Sequence, residues 1–512
     1  MDFKFWKKKE EKINEELKQN YVSAQLSFID FATNYYNGDK TGMYSGFGIT
    51  IDTRIIDLKT LQYRSLQLSR ENGFGSAILG LLETKVINSG LKLRAHPLEP
   101  ILSEITTNEY LDGWSNKVEC LWDVWSRDKR LVTAKQDMTF QELERVVYRT
   151  SKLSGDCLVI RSFNKMGLPV IEVIDGINIE SPVMVDKDIV HGVEHNANGI
   201  EAAYYYRNKK NELVEVRAYD NKGKRRAWLV RSTEKRIDER RGLPLLSVVM
   251  QNINELGKYL DSEQRAALVN SYIAVVHKKD PDQPGKTDPF TRAGTTVNSS
   301  DTTSAAKFKQ MQPGYFATKL AAGESISSFD TSRPNVNFAK FFESVSKIMS
   351  FSLGIPPECL FLEFDSNYSA SRQAKLELED LIKKELAIFT GKFNQPIYED
   401  WLDGMILSGR VEAPGYIRAL SDVKMFDVIG AWRSATWRGL PKSNVDGLKQ
   451  AKELEILRKY GWKTDDQITD EYFDGDWDAN MRQRIKEAEK LKLVNDIITP
   501  EETDITGIDM ES

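Results

Sequence analysis

The chain has 512 residues, 40% of them hydrophobic and 29% charged, the balance of a folded protein with room for two or three cores. Its 71 basic and 76 acidic residues leave a net charge of -5, which excludes a protein that grips duplex nucleic acid through a surplus of cations. Three cysteines, Cys120, Cys157 and Cys359, stand far apart with no CxxC pair, against a disulfide framework or zinc site and for a reducing compartment.

Lys4 and Lys7–Lys9 run into a charged stretch rather than an apolar one, so no signal peptide is expected and synthesis is expected in the cytoplasm. No window approaches the ~18 uninterrupted apolar residues of a membrane span. Residues 1–37 read as a charged amphipathic helix with an aromatic end. Residues 55–90 are predicted helical, broken at Asn72-Gly73, with Ile78, Leu81, Leu82 and Val86 at helical spacing and Gly90 as the stop.

Helices continue through 105–153, where Trp114, Trp122 and Trp125 suit a core better than base stacking, and Phe140, Leu143, Val146 and Val147 mark an inner face. From Gly155 the period changes to short β-rich runs at 157–163, 169–174, 202–207, 212–219 and 227–231, an antiparallel meander. Asn252 with Glu255 has the spacing of a capping box and opens a helix predicted to reach His277. Residues 280–304 then turn rich in Pro, Gly, Ser, Thr and Asp, with little to bury.

A second helix carries Phe338, Phe341, Phe342, Val345, Ile348 and Met349, with Gly354 as its C-cap and Pro356-Pro357 beyond. After a tight loop, Asn367 or Ser369 caps a long helix with Leu378, Ile382, Leu386, Phe389 and Phe393 on one stripe. Residues 430–495 read as helical, followed by an acidic tail.

Several fragments in order resemble the lambda-type family of phage portal proteins. They are Arg64-Ser65-Leu66 with Arg70–Gly73; Ser154–Val159, with Asp156 where the family usually has Glu; Val190–Glu194 with Asn198–Tyr204; and Gly242–Leu245 with Tyr259–Glu263. The most specific passage is Gly354-Ile355-Pro356-Pro357-Glu358-Cys359-Leu360 followed by Asn367-Tyr368-Ser369-Ala370-Ser371-Arg372; Asp446–Lys452 with Tyr460–Thr464 completes the set, Gly447 replacing an expected Pro. From it the signature residues are Gly354, Ile355, Pro356, Asn367, Tyr368, Ser369 and Arg372.

The resemblance implies an α+β portal fold with a helical stem, a β-containing wing and clip, a long wing helix and a helical crown, assembled as a dodecameric ring. On that pattern 1–251 would be the N-terminal helical region and β-rich wing, 252–279 the first stem helix, 280–330 the clip and 331–354 the second stem helix. The tunnel loop would be 355–368, including Leu362, Glu363, Phe364, Asp365, Ser366, Asn367 and Tyr368; 369–429 would be the long helix and wing, and 430–512 the crown with its tail. Lys278 and Lys279 would offer phosphate contacts to passing duplex DNA, or be solvated lysines at a helix end. A channel in which DNA slides suits a mildly acidic chain.

The implied partners are further copies of the chain, a terminase motor, the major capsid protein and head-tail adaptors, in the virion at the capsid vertex, with no membrane. No cofactor, metal or bond-making chemistry is implied, and nothing resembles a GxxxxGK[ST] loop. Sharper chemical readings are weaker. His191 and His195 lack a third ligand. Asp474, Asp476 and Asp478 start like a calcium loop, but Ala479 and Ile485 hold its Gly and Glu positions. Gly73-Phe74-Gly75 follows a helix, not the strand a nucleotide fingerprint needs. A metal-dependent nuclease would start from Glu172 and Asp175, which have no companion motif. A capsid or scaffold protein is the remaining alternative.

Overall fold

A computed structural model describes residues 58–182, 188–232, 239–272, 276–279, 324–327, 338–362, 368–439, 441, 447–473, 475 and 477–498. The expected N-terminal helix, nearly all of the clip and the acidic tail lie outside these residues. In chain order the elements are α1 (Leu58–Glu71), α2 (Gly73–Val86), β1 (Lys92–Ala95), α3 (Asn108–Arg127), α4 (Phe140–Ser154), β2 (Asp156–Phe163), β3 (Pro169–Asp175), β4 (Ile189–Val190), β5 (Val193–His195), β6 (Glu201–Arg207), β7 (Leu213–Arg217) and β8 (Ala227–Arg231). There follow α5 (Met250–Tyr272), β9 (Val276–Lys279), β10 (Glu324–Ser327), α6 (Phe338–Leu353), α7 (Pro357–Phe361), α8 (Tyr368–Lys392), α9 (Asn394–Leu407), α10 (Tyr416–Ser421), α11 (Phe426–Arg433), β11 (Ala435–Arg438), α12 (Gly447–Lys459), α13 (Asp465–Phe473) and α14 (Trp477–Ile498). Helices thus alternate with small antiparallel sheets, the expected α+β class.

The chain divides into two compact units. The first comprises Met1–Leu81, Arg149–Ile160 and Val173–Leu381. The expected β runs are present but fall in two sheets, one ordered β3-β2-β8 and the other β4-β5-β6-β7, an antiparallel meander that adds β4 and β5 to the expected strands and carries a bulge between Glu194 and His195. Asp156–Ile160 of β2 pair antiparallel with Ala227–Arg231 of β8. Alternation puts Leu158, Ile160, Val193, Tyr204, Val216 and Leu229 into one core. A helical core gathers Ile78, Leu79, Leu246, Val249, Met250, Ile253, Leu256 and Met349.

That second core explains a departure from the expected start of α5. Leu246 and Val249 are fully buried, a 3-10 turn over Leu245–Val248 precedes the helix, and α5 already begins at Met250. Asn252 therefore lies inside the first turn instead of capping it. At the other end, α5 is described to Tyr272, and Val276–Lys279, which includes the expected helix end at His277, forms β9 against β10 in the register Lys279↔Glu324 to Val276↔Ser327.

The second unit comprises Leu82–Tyr148, Arg161–Glu172 and Ile382–Ser512. Trp122 is its centre, with ring centroids at 4.8 Å to Trp125, 5.0 Å to Phe140, 5.2 Å to Trp401, 5.5 Å to Trp437 and 5.8 Å to Tyr398. Trp114 packs on Trp432 at 4.8 Å. These tryptophans are buried core. Phe140, Leu143 and Val147 are buried as expected, but Val146 is 41% exposed, because the inward stripe of α4 runs through Glu144 and Tyr148 instead. The span from 430 reads as helical, punctuated at Gly439-Leu440-Pro441, Gly447 and Gly461. It instead contains β11, paired with β1 from Lys92↔Arg438 to Ala95↔Ala435.

Candidate functional site

Two places in the first unit draw together residues from the fragments singled out in the sequence. The first joins Gly155-Asp156 to Arg241-Gly242. Gly155 has φ +90, and a Cβ there would lie 2.3 Å from the Gly242 carbonyl oxygen; a Cβ on Gly242 would lie 1.9 Å from that of Gly155. Only two glycines allow the backbones this close. The approach lets Asp156 accept from Arg241 Nε at 2.6 Å, Arg241 Nη2 at 2.7 Å and the Gly242 N–H at 2.9 Å. Arg241 also donates to the carbonyls of His191 at 2.7 Å and Gly176 at 2.8 Å. Both charged side chains are buried, 3% and 0% exposed, so the pair is satisfied in place and ties four chain segments together.

His191 therefore takes part through its carbonyl, at a positive φ of 49, and His195 lies on β5. Asp175 accepts from the Ile177 N–H at 3.1 Å and from Ser154 Oγ at 2.6 Å, the position of a local cap. Among the described residues no three His, Cys, Asp or Glu side chains are grouped to hold a metal ion. Asp474 and Asp476 lie outside the described residues.

The second place is the base of the α5–α6 helix pair. Tyr259 of α5 stacks on Phe338 at 5.7 Å and lies 4.5 Å from Phe341, both on α6. At the far end of α6, Gly354 has φ +69, a left-handed C-cap, and Ile355 is 2% exposed with its N–H on the Ser350 carbonyl at 3.1 Å. Pro356 and Pro357 do not simply open a loop. Pro357 starts the short helix α7, since proline lacks only a donor that the first turn leaves unused. Cys359 is buried, with its thiol 3.8 Å from the Ala374 carbonyl of α8.

Phe361 and Phe342 meet Phe74 at 6.4 and 6.3 Å, and Asn72 caps α2 by accepting from the Phe74 N–H at 2.9 Å. Between these elements is an open cavity of about 560 Å³ with an apolar floor of Phe74, Ile78, Leu260, Met349, Leu360 and Phe361, and with Glu71 and Asp261 among its lining. Sequence reading did not find it, because its lining comes from four separate stretches, each resembling an ordinary helix face.

Of the expected site residues, Gly354, Ile355 and Pro356 lie together at this turn, and Leu362 follows α7 with φ +57 and 71% exposure. Glu363, Phe364, Asp365, Ser366 and Asn367 lie outside the described residues. Tyr368 is the first residue of α8, and Ser369 and Arg372 are exposed on its first turns. Lys278 and Lys279 lie on β9 rather than at a helix end. Among the described residues, no helix is long and apolar enough to cross a membrane.

Solved structures that share features with the chain are the neck of a native gene transfer agent particle computed with C12 symmetry (12% identity, 79% of this chain and 92% of that one, TM-score 0.40) and the virion of a native gene transfer agent (12%, 81% and 92%, 0.41). No curated protein matches. Residues 50–385 match the family described as phage portal protein, lambda family. That span is well over half of the chain and contains both places described above: the chain belongs to the lambda family of phage portal proteins.

Proposed function

We propose that this portal protein assembles into a closed ring at the capsid vertex of a virion, a dodecamer whose axial channel passes duplex DNA inward during packaging and outward at ejection. The α5–α6 pair forms the stem, residues 280–330 the clip that meets a terminase motor and later the head-tail adaptors, 355–368 the tunnel loop, and the outer face meets the major capsid protein. The chain's own task is steric and electrostatic: a fixed bore, weakly charged, through which DNA slides. Lys278 and Lys279 at the clip boundary supply screened phosphate contacts.

Besides family membership, one observation supports the ring. Leu268 of α5 is 57% exposed, and Phe341, Ile348 and Phe351 of α6 are 40%, 55% and 90% exposed. A helix pair that leaves this much large apolar surface in water fits a stem whose neighbours cover it. Negative-stain electron microscopy and native mass of the purified chain test this reading. It expects end-on rings with a central hole; a single chain at every concentration would rule it out.

A further inference from the structure

We infer that the cavity at the base of α5 and α6 is the socket for Phe351 of the neighbouring copy, an inference that rests on the ring reading above. Phe351 is 90% exposed, the most exposed of the large hydrophobic side chains among the described residues. It stands two positions after Met349, whose side chain is 1% exposed and lines the cavity floor. Two residues of α-helix turn by about 200°, so knob and socket open on opposite sides of α6.

A closed ring needs this arrangement. Its contacts are heterologous, each copy offering one patch to the left and a different, complementary patch to the right. A knob and a socket on the same side would allow only a two-fold pair.

Charge agrees with shape. Lys347 and Lys340 lie four and eleven residues before Phe351, about one and three turns, on its side of α6, and both are exposed. Glu71 and Asp261 are exposed members of the socket's lining. The seated knob therefore brings lysines to carboxylates. Alone, Lys347 bonds Glu343 of its own helix at 2.6 Å and Asp261 faces Arg265 at 3.8 Å, exposed pairs of little worth that exchange readily. An aromatic anchor in an apolar pocket with charged groups at its margin is the pattern of a dominant interface contact.

The test uses the full chain as Phe351→Asp and Phe351→Leu, with sedimentation velocity and electron microscopy across concentration. Phe351 touches little of its own chain, so both variants should melt with the parent. The expected result is at least a tenfold rise in the concentration at which Phe351→Asp forms rings, with Phe351→Leu close to the parent. In parallel, benzoylphenylalanine at Gln264, which also lines the socket, should on illumination give covalent dimers whose adduct maps to residues 344–352. Unchanged assembly of Phe351→Asp, or an adduct on residues 1–57 or within the same chain, overturns the socket while leaving the ring intact. Failure of the parent chain to form rings at all defeats the ring reading, and the socket with it.

Discussion

Asp156 and Arg241 lie 85 positions apart and meet as a buried pair with two bonds of 2.6 and 2.7 Å. Removing one partner strands the other charge where water cannot reach it, at a cost of about 3–5 kcal/mol. Asp156→Ala is expected to lower the thermal midpoint strongly and to make β2–β8 sensitive to protease. Arg241→Lys should not rescue the pair, because a lysine cannot supply the two-pronged contact and the two carbonyl bonds together. A midpoint within a degree or two of the parent for either variant would show that the pair is dispensable.

Gly242→Ala makes a sharper claim. Its Cβ would meet the Gly155 carbonyl at 1.9 Å, and the obstructing atom is backbone, so nothing nearby can rotate away. The variant is expected in the insoluble fraction, whereas Gly113→Ala, whose Cβ meets nothing within 4 Å, should express like the parent.

In the second unit, Glu144 is wholly buried and accepts from the Leu91 N–H at 2.9 Å and from the Asn394 amide. Burial pushes its carboxyl up to about 8 against the weaker pull of those bonds and of Arg145. Between its ordinary value near 4.5 and about 8, the folded chain holds a proton that the unfolded chain has released. This group's contribution to stability is therefore complete below about 4.5 and is lost as pH rises toward 8. Glu144→Gln keeps the neutral form at every pH. Its stability relative to the parent should rise between pH 5 and 8 by something on the order of 4 kcal/mol. Parallel pH profiles for the two chains would contradict the assignment.

Thiol labelling gives a simple check of burial. Cys120 is exposed, whereas Cys157 and Cys359 are buried, and burial, helped by the charges of Asp156 and Asp175, pushes the Cys157 thiol well up. One of the three thiols should react quickly with an aromatic disulfide and the other two only on unfolding. Fast reaction of all three would mean that the core around β2 is open.

Deleting Asp280–Ser304 tests the clip assignment. The deletion is expected to leave a folded chain that no longer supports packaging by the motor. Packaging at the parent's level would refute the assignment.

Much of this architecture was readable in advance where a signal is local. The break at Asn72-Gly73, the cap at Gly354, the α8 stripe and the strands β2, β3, β6, β7 and β8 each follow from spacing and turn residues; the short β4 and β5 do not. What escaped depends on partners distant in sequence. Ala435–Arg438 reads as helix until Lys92–Ala95 offers it an edge. Asn252 looks like a cap until burial of Leu246 and Val249 draws the helix back to Met250. Val146 belongs to an apolar run, yet lies off the stripe set by Phe140 and Val147. Asp156 stood out only as a departure from the family pattern, and Arg241 did not stand out at all, since nothing local shows that the two meet. The socket was invisible for the same reason, being assembled from four stretches.

Closure of this chain into a ring has a direct readout. Electron microscopy of the purified protein at high concentration, with native mass, tests it most directly. The expected result is end-on rings with an open centre and a mass of about twelve times 58.4 kDa. A monodisperse monomer or dimer at every concentration would contradict it and leave Phe351 without a partner.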